Sequence, residues 1–486
     1  MDVSNVLVSG YGATVFVPYL LPESPVTSVT DWVAIGGGKG LAKALDIGPA
    51  ATIDQILASG LRGRGGAGFP VGVKWKSLRE TAAGGTCFVV CNASEGEPGT
   101  FKDRAMLRRN PYQLIEGVAI ATFAIGADSA FIGLKAKYTQ EHENLARALS
   151  EMEAAGLTAG IPITIVPGPD SYLFGEETAL LQTIQGEPAA PRLFPPYIQG
   201  VFASVPNIDW SAMPKATGDP ELNDPAPTLV NNVESLSTAA HIMHHGVEWF
   251  RSMGTEETPG HGVCTIVGDV NAPGVAEVEM GTPLGEIIDT VGGGVTEGRR
   301  IKAILSGISN PVMTEDFLDA PLCFDAFRAR GSGIGSCGFI IYDDTTDAVE
   351  IGYTCSHWLS VESCGQCNGC KLGTMGVTAL LKKIMIGDGE YRDISDIGAR
   401  ILKLTDANRC FLPEQDQIVV ASLLRTFPQD FLDAVDGKPV NIRDLMPPKL
   451  VDVADGKAIL DEHWRLKQEN WAYADVGNAT GIYRTE

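Results

Sequence analysis

The chain has 486 residues, with 60 acidic and 37 basic side chains and a formal charge of −23. Such acidity argues against nucleic acid or an anionic membrane as a general partner, and any phosphate-bearing ligand must be held by a local site working against the overall field. Hydrophobic residues at 44% and charged residues at 20% fit an ordinary folded protein, and the length suggests roughly two to four domains.

The start of the chain, MDVSNVLVSG, is acidic and lacks a basic stretch followed by an apolar core, so no secretory signal is expected. No apolar run approaches the length of about 18 residues that would suggest a membrane span. Cysteines stand at 87, 91, 264, 323, 337, 355, 364, 367, 370 and 410. Their clustering differs from a secreted disulfide framework and suggests a reducing, cytoplasmic compartment with cofactor-ligating thiolates.

Residues 1–50 are weakly patterned, and helical stretches around 38–60 lead into GLRGRGGAGFPVGVKW at 60–75. CFVVCNAS (87–94) predicts a buried strand ending in an acidic loop, and DSAFIGLKAKY (128–138) a second strand. TQEHENLARALSEMEAAG (139–156) predicts an amphipathic helix with a glycine stop, and IPITIVPGP (161–169) a third strand. This alternation implies a mostly parallel, covered sheet. Residues 195–228 read as a long irregular surface segment. Residues 262–345 read as a small α+β domain of short strands with one helix at 283–291. From about 353 the pattern is helical, while the tail from 437 to 486 has little periodicity and is expected to wrap or dock. The expected divisions are 1–250, 251–345, 346–436 and 437–486.

Within the glycine loop, Gly63, Gly65 and Gly68 satisfy G-x-G-x-x-G. The dinucleotide fingerprint needs a preceding strand, yet ATIDQILASG places Ile53, Ile56, Leu57 and Leu61 on one helical face. What remains is a run of backbone amides able to approach an anion, with Arg62, Arg64 and Lys74 nearby. A ligand-free flexible loop is the alternative. ESCGQCNGCKLG spaces Cys364, Cys367 and Cys370 as C-x2-C-x2-C, with Cys410 in NRCFLP as a fourth ligand. That pattern fits a [4Fe–4S] cluster; zinc or free thiols are the rivals. The remaining cysteines read as small buried hydrophobes. CNASEGEPGTFKDR (91–104) carries Glu95 and Glu97 just past a strand, and SYLFGEETALL (171–181) carries Glu176 and Glu177 at a helix start. Such acids could bind ribose or flavin edges, or simply cap helices. Asn231 and Asn232 in TLVNNVES form the last concentration.

These motifs in this order resemble the NADH-binding FMN and [4Fe–4S] flavoprotein subunits of respiratory complex I, a module also found in NAD-linked hydrogenases and formate dehydrogenases. The resemblance covers roughly residues 35–435. It implies an α/β FMN-binding domain, a small β-grasp (ubiquitin-like) domain and a C-terminal helical bundle holding the cluster. It implies FMN contacts from Gly63, Gly65, Gly66, Lys74, Asn92, Glu95, Tyr172, Glu176, Asn231, Asn232 and Ser235, with Lys74 as the phosphate's cation. Glu97 and Glu177 would lie on the nicotinamide side, and Phe69 against the adenine or its approach. No catalytic acid or base is required, because hydride transfer is the cofactors' own chemistry.

The sequence departs from that family where the nucleotide would sit. Ser94 stands for a usual aspartate, Ser77 lies near a usual aromatic, Phe194 replaces a lysine and Tyr197 a phenylalanine, and the connection from Tyr197 to Leu229 is longer than usual. The leading reading is an oxidoreductase subunit that exchanges a hydride between NAD(H) and FMN and passes single electrons through the cluster to a multi-subunit redox enzyme. A second reading keeps FMN and the cluster but gives the flavin another redox protein or nucleotide as partner. A third, a structural subunit without cofactor chemistry, conflicts with the intact cysteine set. The absence of cysteine before Cys87 implies that a thioredoxin-like [2Fe–2S] domain, if used, is a separate subunit, alongside a larger iron–sulfur or catalytic one.

Overall fold

A computed structural model describes residues 18–203 and 224–465. Parts of the irregular segment expected at 195–228, of the weakly patterned start and of the tail lie outside these described residues. The described residues form two compact units, one of residues 18–95, 103–203 and 224–260, the other of residues 96–102 and 261–465.

The first unit is built on a parallel sheet of β1 (Phe88–Asn92), β2 (Ser129–Lys135), β3 (Ile163–Gly168) and β4 (Thr228–Asn232). Its spatial order is β3-β2-β1-β4, and every pairing is parallel. The chain steps outward from β1 to β2 to β3, then crosses back to lay β4 on the other side of β1. That reversal is the feature that positions the site, because ligands of open α/β sheets settle beyond the carboxyl ends of strands at such a switch point. Val90 and Val230 on β1 and β4 pack with Phe174, Leu180, Leu181 and Val201, which explains why these strands read as continuous apolar runs rather than alternating ones.

The helix Pro111–Ile125 is buried along nearly its whole length, with proline at its first turn and Gly126 in left-handed geometry (φ +77°) at its end. A helix buried on nearly every side, its few polar groups included, belongs inside a domain. It lies so close to the helix Val233–His245 that a Cβ on Gly117 would stand 2.0 Å from the carbonyl oxygen of Leu236. Glu116 on the same helix accepts from the amides of Gly38 (2.7 Å) and Leu41 (3.0 Å), capping the helix Lys39–Ile47. Burial raises its carboxyl above the usual range, with those amides pulling it back.

The second unit holds a four-stranded sheet of β5 (His261–Gly268), β6 (Gly274–Glu279), β7 (Ile301–Ser306) and β8 (Gly338–Asp343), in the order β6-β5-β8-β7. β5 and β8 run parallel, and the outer strands are antiparallel to them. The helix Leu284–Gly292, close to its expected span, sends Leu284, Ile287, Ile288 and Val291 into a core with Ile266, Val278, Ile304, Phe327 and Phe339. Five helices follow, Ala348–Glu362, Asn368–Met385, Tyr391–Ile401, Leu412–Thr426 and Pro428–Val435.

The tail contains more order than its weak periodicity suggests, since β9 (Leu450–Ala454) and β10 (Lys457–Leu460) form an antiparallel hairpin. Both strands are short; β9 buries only Leu450 and Val453, three positions apart, and β10 buries no residue, so no alternating apolar stripe marked them. The segment before them docks as expected. Arg443 bridges Asp269 at 2.7 Å, and Glu350 accepts from the amides of Arg443 and Leu445. Among the described residues no helix is long and apolar enough to cross a membrane.

Candidate functional site

Asn92 and Asn232 end adjacent parallel strands and stand opposite each other, with Asn231 facing Cys91. The pair of asparagines in sequence therefore becomes, with Asn92, a polar edge at the switch point. Each is held. The amide of Asn92 donates to the Gly175 carbonyl at 2.8 Å while its oxygen accepts from the Ser94 hydroxyl at 2.7 Å. Asn231 accepts from the buried Trp75 indole at 2.8 Å. Asn232 caps the helix Val233–His245 by accepting from the Glu234 amide at 3.0 Å, and donates to Asp103 at 2.7 Å.

The glycine loop presses against this edge. It closes on itself through the Gly63 amide to the Phe69 carbonyl and the Val71 amide to the Leu61 carbonyl, both 2.9 Å. The Arg64 amide donates to the Ser235 hydroxyl at 2.9 Å, which pins the loop to the first turn of the helix after β4. A Cβ on Gly65 would meet the Asn232 Cβ at 3.3 Å, whereas one on Gly66 would meet nothing within 4 Å. Gly66 thus faces open space with φ +123°, a backbone state close to glycine-only. The surroundings form a cradle of bare backbone beside the strand ends, which suits the phosphate end of a flavin mononucleotide. A Gly66→Ala variant is expected to strain this loop by about 1–3 kcal/mol and to lower flavin retention at least tenfold, read as FMN content after gel filtration. Undiminished content would show that the loop does not bear on the flavin.

Lys74, on the helix Val71–Ala82, donates to the Val230 carbonyl at 2.7 Å and to Glu177 at 2.8 Å. Its charge is therefore anchored at the β4 end, next to the loop. Glu176 follows the 3-10 turn Tyr172–Gly175 that carries the half-buried Tyr172. Its carboxylate caps the helix Glu177–Ile184 by accepting from the amides of Thr178 (3.0 Å) and Ala179 (2.9 Å). Burial raises its carboxyl above the usual range, opposed by those hydrogen bonds. The capping role raised for these acids from sequence is thus the one Glu176 occupies.

Glu95 has positive φ (+25°) for a non-glycine residue. Its carboxylate accepts from the Asp103 amide at 2.8 Å and from the Arg104 guanidinium at 2.9 Å, both side chains of that ion pair being nearly inaccessible. The Tyr138 hydroxyl donates to the Glu95 carbonyl, and Arg104 lies 4.6 Å over the Tyr138 ring. Asp103, Arg104 and Trp75 were missed from sequence. GVKW and FKDR close the two recognised stretches at 60–75 and 91–104, but nothing in their spacing says which side chain turns inward.

All the expected flavin- and nucleotide-side residues but one belong to the first unit. Phe69 is there too, 54% exposed and free of the core. Glu97 belongs to the second unit, where its carboxylate accepts from the Ile308 amide at 2.7 Å. Of the departing positions, Ser94 is buried against Asn92, Ser77 is exposed, Phe194 is half-buried and Tyr197 is 55% exposed.

Cys364 and Cys367 lie in the connection between the helices Ala348–Glu362 and Asn368–Met385, with Cys367 at the second helix's N-cap and Cys370 in its first turn. Cys410 precedes the helix Leu412–Thr426. A Cβ on Gly369 would stand 3.0 Å from the Lys403 carbonyl and 3.2 Å from that of Asp406. The cysteine turn is therefore packed against the segment leading to Cys410. Ser363 hydrogen-bonds the Cys370 sulfur at 3.2 Å. Burial pushes that thiol up to about 11, the serine opposing, with Cys364 and Cys367 adding to the rise. Among the described residues no three His, Cys, Asp or Glu side chains converge as a ready metal site. The donor chemistry, four thiols on two segments in contact, fits an iron–sulfur cluster, whose irons supply the charge that ionises such thiols.

Residues 56–241 match the Nuo51 FMN-binding domain, 263–315 the SLBB domain, and 351–434 the NADH-ubiquinone oxidoreductase-F iron-sulfur binding region. The chain is 34% identical over 436 residues to an F subunit (form 2) of the NADH-quinone oxidoreductase of Rhizobium meliloti, covering 87% of this chain and 98% of that one. It is 35% identical over 413 residues to the NADH-quinone oxidoreductase F subunit of Streptomyces coelicolor, covering 83% and 87%. Among solved structures it is similar to an NAD+-reducing [NiFe]-hydrogenase in the H2-reduced state, with a TM-score of 0.72, 30% identity, and coverage of 85% of this chain and 67% of that one.

Proposed function

Because this chain belongs to the family of NADH-quinone oxidoreductase F subunits, we propose that it exchanges a hydride between NAD(H) and FMN at the carboxyl ends of β1 and β4 and sends single electrons on through its [4Fe–4S] region. The observation that carries this reading is the register of Asn92 opposite Asn232 with the glycine loop pinned beside them by Ser235. Bound FMN would supply the exchange between a two-electron hydride and single electrons, and the cluster the outlet; the chain supplies binding and orientation.

Gly63, Gly65, Gly66 and Lys74 would hold the FMN phosphate. Asn92, Glu95, Tyr172, Glu176, Asn231, Asn232 and Ser235 would shape the rest of its pocket, several of them through the groups they anchor. Glu97 and Glu177 would lie on the nicotinamide side and Phe69 near the adenine, while Cys364, Cys367, Cys370 and Cys410 would ligate the cluster. The four-part division at 250, 345 and 436 is our functional one, and the sheet of β5 to β8 with the helix Leu284–Gly292 across it supports a β-grasp reading of the middle part. A thioredoxin-like [2Fe–2S] subunit and a larger iron–sulfur or catalytic subunit are the partners we expect. The setting would be cytoplasmic, peripheral to a larger complex.

The departures at Ser94, Phe194 and Tyr197 favour a second reading, in which the flavin exchanges electrons with a different partner. Anaerobic titration decides between the two. About one equivalent of NADH should bleach the flavin band; no bleaching by NADH, with dithionite still effective, would sink the first reading and leave the second.

A further inference from the structure

We infer that Ser309 and Gln415 are positioning residues for Glu97, an inference that rests on the nicotinamide-side reading of that glutamate. Glu97 and its partners lie in the same unit. The Glu97 carboxylate oxygen Oε1 accepts from the Ile308 amide at 2.7 Å and from the Ser309 hydroxyl. The Ser309 oxygen in turn accepts from the Gln415 amide Nε2 at 2.9 Å. The direction of this chain is fixed by chemistry. An ionised carboxylate can only accept, so the serine proton points to Glu97 and the serine lone pair is left for the Gln415 N–H.

The arrangement is built rather than incidental. Gly307, just after β7, has φ +60°, and a Cβ there would stand 2.3 Å from Glu97 Oε1. Glycine at that position lets the turn approach the carboxylate in its present place without displacing it. Gln415 is 2% exposed and sits on the helix Leu412–Thr426, the helix that begins two residues after Cys410. The buried Gln415 amide thus holds the serine that in turn holds the Glu97 carboxylate. The Glu97 backbone is fixed as well, its carbonyl accepting from the Thr100 amide at 3.2 Å. Glu97 is thus oriented from the turn after β7 and from the helix after Cys410, neither of which is near it in sequence.

Losing one hydrogen bond to a charged group is expected to weaken dinucleotide binding roughly tenfold. The test uses the full chain carrying FMN and cluster, with ferricyanide as electron acceptor, and compares Ser309→Ala, Ser309→Thr, Gln415→Met and Glu97→Gln. Ser309→Ala and Gln415→Met should raise KM for NADH and the calorimetric Kd for NAD+ about tenfold, with kcat, FMN content and iron content unchanged. Ser309→Thr, which keeps the hydroxyl, should restore both constants to within about twofold. If Ser309→Ala or Gln415→Met instead loses flavin, iron and kcat together, the role is structural and the inference is overturned. If Glu97→Gln raises KM while the Ser309 and Gln415 variants do not, positioning fails alone. If Glu97→Gln leaves both KM and Kd unchanged, the nicotinamide-side reading of Glu97 fails and takes the inference with it.

Discussion

Cys367→Ser is expected to strip the chain of its iron while leaving FMN bound. Cys367 is the N-cap of the helix Asn368–Met385, at the centre of the C-x2-C-x2-C turn proposed to ligate the cluster. A serine hydroxyl is not ionised there and offers iron a far weaker ligand. The helices themselves have other support, since Val377, Leu381 and Ile384 are buried along one and Val419, Val420 and Leu423 along another. The fold around the substituted ligand should therefore survive. Iron analysis and low-temperature electron paramagnetic resonance should show essentially complete loss of the reduced-cluster signal, with an unchanged flavin absorbance per chain. Unaltered iron content would refute the ligand assignment.

Glu95→Ala should be the most destabilising single change in the flavin unit. It leaves the Arg104 guanidinium, whose side chain is only 3% accessible, without its carboxylate, and removes the acceptor for the Asp103 amide that opens the helix Lys102–Arg109. Breaking a buried pair from one side costs about 3–5 kcal/mol, because the surviving charge stays desolvated without its bonded carboxylate. Asp103 also accepts from Asn232, so the loss should spread to the strand end and release flavin. Urea unfolding followed by intrinsic fluorescence, together with FMN retention, measures both effects. Glu95→Gln, which keeps a hydrogen-bond acceptor, should fall between wild type and the alanine variant. An unshifted unfolding midpoint in Glu95→Ala would mean that Arg104 finds another anion.

Much of the fold was legible because its signals are local. CFVVCNAS, DSAFIGLKAKY and IPITIVPGP became β1, β2 and β3, and the glycine-stopped helix after β2 ends at Ala154, with Gly156 in left-handed geometry just beyond. The hairpin of β9 and β10 was illegible for the opposite reason, since neither strand buries a periodic face. At the site, the acids were visible as a class, but their assignments were not. Glu176 looks like Glu177 in sequence, yet one is tied to its own helix end and the other to Lys74. Glu97 follows Glu95 by two residues, yet Glu95 meets Arg104 while Glu97 meets Ser309.

By itself the sequence determined the groups available to this protein: a glycine-rich loop with cations beside it, paired acids and asparagines, and thiols at the spacing of iron–sulfur ligands. Those depend on residue type and short spacing, which a linear chain displays directly. Only the tertiary structure decided which side chains are spent on one another. β4 pairs with β1 across well over a hundred residues of intervening chain, Ser235 meets the amide of Arg64, and Gln415 reaches Glu97 through Ser309. Such partnerships follow from strand order and helix packing, where burial leaves a polar group no choice but the partner the fold brings to it.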